Sequence, residues 1–246
     1  NRQDAVKLLS RDADVVVAGG MESMSNVPYY LRDARTGYRM GDGKLIDGMI
    51  ADGLWDPYGN FHMGEAGEKC SKEYSLSREA QDEFARESYR RALSAQKEGL
   101  FEAEIAAVEI AQKKGDPLKV SADEEPGKGD PSKFDKLRPA FAKDGTITAA
   151  NASSINDGAS ALVLASEKAV KEQNLTPIAR IVGYGGAAQA PDWFTTAPSK
   201  AIDATLTKLG MKKEQIDLWE INEAFSCVTM ACSKISGLDP AKVNVR

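Results

Sequence analysis

Two short apolar runs, D-V-V-V-A at 14–18 and A-S-A-L-V-L-A at 159–165, constrain this chain more than any other feature. Each is apolar on consecutive positions, the pattern of a strand covered on both faces in a parallel sheet. The first closes on Gly19-Gly20, where the chain can turn sharply. Between the two runs, Asn26 to about Asp144 carries many of the glycines and prolines and much of the charge. A segment this long between two strands of one sheet reads as an inserted subdomain. Inside it, Arg78 to Glu98 has helical spacing, with Ala80, Phe84, Ala85, Tyr89, Ala92 and Leu93 on one stripe and Gly99 ending it.

Alternation of strand and helix continues toward the C-terminus. E-K-A-V-K-E-Q-N after Ala165 is helical, and Pro177 to Val182 begins a third strand. Ser199 to Leu209 places Ile202, Leu206 and Leu209 on one helix face and stops at Gly210. Asp217 to Ile221 reads as a fourth strand, and Glu223 to Ser236 as a helix stopped by Gly237. The alternation predicts an α/β layered domain.

With 246 residues and 42% hydrophobic content the chain can bury a sizeable core. Its longest apolar runs fall far short of the roughly 18 residues that span a bilayer, so no membrane partner is expected. N-R-Q-D-A-V-K-L-L-S, at the start, has no uninterrupted apolar segment and does not resemble a signal peptide. Cys70, Cys227 and Cys232 are an odd count without a C-x-x-C pair, and His62 is the one histidine. That composition argues against a disulfide framework or a zinc site, and for reduced thiols in a cytoplasmic or mitochondrial-matrix setting. The net charge of −5 argues against general nucleic-acid binding, although Gly127 to Lys143 holds five Lys or Arg against two Asp.

Three places carry candidate chemistry. His62 lies in F-H-M-G-E after a turn-rich W-D-P-Y-G-N. It is either a structural loop residue or, with Phe61 and Met63, the wall of a ligand slot. G-Y-G-G-A-A at 183–188 formally fits a dinucleotide fingerprint. The Pro191 and Pro198 that follow oppose the helix this motif needs, which discounts a dehydrogenase. Asn222, at a strand end, stands where ligands gather in open α/β sheets. Its amide can orient a water or support an oxyanion, or it can serve as a helix N-cap.

Five stretches carry a family resemblance: D-V-V-V-A-G-G-M-E-S-M-S (14–25), F-H-M-G (61–64), K-L-R-P-A-F (136–141), G-T-I-T-A-A-N-A-S-S-I-N-D-G-A (145–159) and W-E-I-N-E-A-F-S (219–226). They resemble, in order, the motifs of the thiolase family, specifically its short-chain acetoacetyl-CoA type. The resemblance implies a layered αβαβα fold of two similar halves with an inserted loop domain that binds coenzyme A. On that pattern residues 1–24 and 145–176 belong to the N-terminal half, 25–144 to the insert, and 177–246 to the start of the C-terminal half. It implies Claisen condensation of two acetyl-CoA to acetoacetyl-CoA, or the reverse thiolysis, through an acyl-cysteine, with CoA thioesters as substrates and no covalently bound cofactor. A homo-oligomer, dimer or tetramer, is also implied.

The same resemblance assigns residues. Asn222 holds the water of an oxyanion hole, and Glu223 fixes its loop. His62 and Met63 reach the thioester end, and Ser153 contacts the pantetheine. Leu137, Ala140, Phe141, Ala149 and Phe225 form apolar walls, while Lys128, Lys133 and Lys136 form a rim toward the cofactor's phosphates. Pro126 stands where potassium-using members carry a tyrosine, so no metal site is predicted. The family's nucleophilic cysteine precedes D-V-V-V-A-G-G, and its G-H-P histidine and C-x-G-G cysteine follow V-N-V. None falls within Asn1 to Arg246, so the chain alone is expected to be catalytically silent. A thiolase-like protein that binds acyl-CoA without turnover is the alternative.

Overall fold

The computed structural model describes residues 12–246, and the N-R-Q-D-A-V-K-L-L-S segment lies outside them. In chain order the main elements are β1 (Val15–Ser23), α1 (Met63–Glu73), α2 (Arg78–Lys97), β2 (Asp157–Ala165), α3 (Glu167–Glu172), α4 (Ala197–Leu209) and α5 (Ser226–Ser236). They divide between two compact units, one of residues up to Trp55 with Ile155–Gly186, the other of Asp56–Ser154 with Ala187–Arg246. No helix among the described residues is long and apolar enough to cross a membrane.

In the first unit, β1 and β2 form one ladder from Val15 opposite Ala165 to Ser23 opposite Asp157. The pairing is antiparallel, a correction to the parallel, doubly covered strands expected from the apolar runs. Val17, Leu162 and Val163 stay 70%, 69% and 68% exposed, so consecutive apolar positions here do not mark two buried faces. Gly19 is required for the pairing, because a Cβ there would collide with the Ser160 carbonyl. Asp14 holds the far end through Ser166 and Lys168, the former also capping α3. The strand expected at Pro177–Val182 does not form. Ile178, Ile181 and Val182 are exposed, and Pro177 has no N–H to give a ladder.

The second unit is mainly helical, packed around Cys70, Ile147, Ile221, Phe225, Cys227, Val228, Ala231 and Cys232. Helix α2 begins on a Ser77 cap and ends before Gly99, whose φ of +68° continues the chain in a region that suits glycine. Its buried face is rotated from the expected stripe: Gln81, Asp82, Ala85 and Ala95 are inside, whereas Leu93 is 40% exposed. Polar partners explain the rotation. Gln81 donates to Leu76 O (3.1 Å) and Thr146 Oγ1 (2.9 Å), and Asp82 accepts from Arg78 (2.7 Å) and Asn151 (2.9 Å). Helix α4 stops as expected at Gly210, and α5 at Gly237. The fourth strand shrinks to one parallel bridge, Trp219 with Val243.

Candidate active site

Helix α5 starts at Ser226, three residues later than its apolar pattern suggests. Phe225 remains extended (φ −143°, ψ 151°) because it bridges Ala152 in an antiparallel pair. Ser153 N donates to Ala224 O (3.0 Å) and Ser226 N to Asn151 O (2.8 Å) on either side of that bridge. This pairing overrides helix propensity over Glu223–Phe225. Asn222 therefore stands outside the first helical turn and is not its N-cap. It is exposed and lines a cavity of about 270 Å³ together with Ser88, Tyr89, Glu125, Ser153 and Glu223.

The loop beneath is tightly held. Asn151 is buried, accepts from Thr148 N (2.8 Å) and donates to Asp82 (2.9 Å) and Thr146 O (3.0 Å). The Glu68 carboxylate of α1 accepts from Thr146 N and Ile147 N, both at 2.9 Å. These bonds fasten the G-T-I-T-A-A-N-A-S stretch that carries Ser153. Burial, and then the Glu125 carboxylate, push the Tyr89 phenol above its ordinary value, so at neutral pH it faces the cavity as a protonated donor.

His62 has a structural role that its loop setting hid. It is the N-cap of α1: Nδ1 accepts from Gly64 N (3.0 Å), and its own N–H donates to Glu65 (3.1 Å), closing a capping box. With Nδ1 accepting, the neutral ring carries its proton on Nε2, which makes that nitrogen the donor. The ring stacks on Phe141 (centroids 4.7 Å, 26°), and Phe141 meets Phe225 edge-on at 6.2 Å. A Cβ at Gly64 would run into the Phe141 ring, and one at Gly67 into Ile147, so both glycines permit this stack. The readable signals were Glu65 three residues after His62 and two glycines within one helical turn.

The remaining candidates are spread more widely. Met63 is half-buried, and Ala140 and Ala149 are exposed. Ala140 N donates to Ile147 O (2.9 Å), and Leu137 O accepts from Arg78 (2.9 Å). Lys128 pairs with Glu124 and Lys133 with Asp130, each at 2.8 Å, so local carboxylates already offset this part of the basic rim. All three cysteines are free and buried. Hydrogen bonding with Cys70, then burial, pushes the Cys227 thiol up, and burial pushes Cys232 up. Cys70 goes the other way, pulled down by its hydrogen bond with Cys227, but like the other two it is fully buried, and a thiol out of reach of substrate does not supply a nucleophile.

Comparison with known families decides the fold and the relationship. The family model described as the thiolase N-terminal domain matches residues 3–168, and that of the thiolase C-terminal domain matches 175–246. The chain belongs to the thiolase family. This thiolase chain is 50% identical over 242 residues to the acetyl-CoA acetyltransferase of Schizosaccharomyces pombe, covering 98% of the chain and 61% of that protein. It is 52% identical over 235 residues to the Yarrowia lipolytica acetyl-CoA acetyltransferase, with 96% and 58% covered. It superposes with a TM-score of 0.94 on the Bacillus anthracis acetyl-CoA acetyltransferase at 40% identity, covering 99% of the chain and 62% of that structure. Acat5 thiolase from Ascaris suum, solved in complex with coenzyme A, gives 0.94 at 44% identity, with 100% and 62% covered. The chain thus has the layered thiolase fold and spans about three fifths of the length of these relatives.

Proposed function

We propose that this chain supplies the CoA-thioester surface and the oxyanion asparagine of an acetyl-CoA C-acetyltransferase. The observation that carries the reading is Asn222, presented at a cavity beside Ser153 on a turn held open by the Phe225–Ala152 bridge. In condensation, a base of the complete enzyme takes an α-proton from one acetyl-CoA, and the resulting carbanion attacks the carbonyl of an acetyl group held on a cysteine. The carbonyl oxygen gains charge, the new carbon–carbon bond forms, and cysteine leaves as thiolate. Asn222, through a water, would steady that oxygen, and Nε2–H of His62 is a second donor for a thioester carbonyl. Thiolysis is the same path reversed. The nucleophile is a cysteine other than the three buried ones, so this chain by itself would bind CoA thioesters without turning them over.

The insert, 25–144, is proposed as the CoA-binding part and 145–176 as the return to the N-terminal half. The aromatic cluster of His62 stacked on Phe141, with Phe225 edge-on to Phe141, supports a short acyl slot, favouring acetoacetyl-CoA over long-chain substrates. A homo-oligomer in the cytoplasm or mitochondrial matrix completes the proposal. Relatives named as cytosolic and as mitochondrial both match at about half identity.

The test is Asn222→Ala in a full-length thiolase carrying these residues. We expect kcat for acetoacetyl-CoA thiolysis to fall about a hundredfold or more, with CoA affinity nearly unchanged. Unchanged turnover per folded molecule would remove Asn222 from the catalytic role.

A further inference from the structure

The turn that carries Asn222 takes its support from a distant side chain. Trp219 N donates to Lys242 O and Asn244 N to Trp219 O, both at 2.8 Å, which makes one parallel rung. At Asn244 the backbone turns left-handed, with φ of +46°. Its side chain then takes the place of the next rung: Oδ1 accepts from Ile221 N (2.7 Å), and Nδ2 donates to Ile221 O (2.8 Å). The same Nδ2 donates to Glu223 Oε1 at 2.7 Å. Asn222 therefore sits between two residues that one amide grips, the first by its main chain and the second by its carboxylate.

Helix α2 closes the clamp from the other side. Ser88 Oγ donates to Glu223 Oε2 at 2.6 Å. Arg91 Nη1 donates to Val243 O (2.8 Å) and Asn244 O (2.7 Å), and Arg91 is itself steadied by Glu87 at 2.7 Å. An amide is the chemistry this place requires. It must accept from one N–H while donating to a carbonyl and to a carboxylate. An aspartate could accept but not donate, and would set a second negative charge against Glu223.

We propose that Asn244 is a positioning residue for Asn222, acting with Glu223 to fix the direction in which the Asn222 amide meets the cavity. The inference rests on the oxyanion reading of Asn222 given above. Small displacements of such a group are costly, since about 1 Å of misplacement can lower turnover about a hundredfold.

Asn244→Gly is the decisive variant, because glycine adopts a φ of +46° without strain and removes the clamp alone. In the chain itself, amide hydrogen exchange at Ile221 should accelerate about tenfold or more while Ala231 in α5 keeps its protection. In the full-length enzyme, kcat should fall about tenfold or more with KM for acetoacetyl-CoA within about twofold. Asn244→Asp, which keeps the acceptor, should not restore kcat. Retained Ile221 protection, or lost protection with wild-type kcat, overturns the proposal. A full-length wild type without thiolysis would overturn the acetyltransferase reading instead, and the exchange result would still decide the clamp.

Discussion

The β1–β2 ribbon and helix α5 are both short, regular and apolar in sequence, yet they differ in what covers them. The ribbon pairs over the full length of both strands and leaves Val17, Met21, Leu162 and Val163 exposed. Helix α5 buries Cys227, Val228, Ala231 and Cys232. In the ribbon, where Ala18 is the one buried apolar side chain, the continuous backbone ladder sets the register. In the helical unit, polar contacts set which face is inside: Arg78, Asp82 and Asn151 hold α2 against the loop that presents Ser153. An apolar residue thus stabilises only where a second layer meets it.

The largest effect should come from cutting the polar spine of the helical unit. Arg78 donates to Asp82, Phe134 O and Leu137 O, and the Asp82 side chain is 3% exposed. Arg78→Ala leaves that carboxylate buried with less compensation, so urea unfolding should show a loss of about 3 to 5 kcal/mol. A loss below about 1 kcal/mol would mean that the spine does not hold this unit together.

Crowding the site's aromatic stack should cost less. In Gly64→Ala the new methyl displaces the Phe141 ring from His62, which should lower stability by about 1 to 3 kcal/mol. Loss of the ring stack should be visible as shifted His62 ring signals by NMR. Unshifted signals at full stability would show that the stack is not tight.

The smallest effect belongs to the ribbon. Leu162→Thr introduces a β-branched residue suited to the ladder and removes an exposed apolar group, so unfolding should shift by no more than about 0.5 kcal/mol. A loss beyond about 1.5 kcal/mol would show that this face is covered in solution and would erase the contrast between the two regions.

Local signals carried far in this chain. Helix α2 and the Gly210 and Gly237 stops were legible from apolar spacing and turn residues, because they depend on neighbours close in sequence, and the two strand segments were legible as strands though not in how they pair. Of the residues the family motifs singled out, Asn222 and Ser153 line one cavity and Phe141 and Phe225 meet edge-on.

What sequence spacing could not determine depends on contacts between distant segments. The antiparallel sense of β1 and β2 follows from how two far-separated strands meet, and their apolar pattern is compatible with either sense. The late start of α5 was decided by Ala152 pairing with Phe225, and the support of Asn222 by Asn244 reaching Ile221. His62 became a helix cap because Glu65 and Gly64 close on it in space. Periodicity reports which residues share a face, but hydrogen bonds across the fold decide which face is covered and where each element begins.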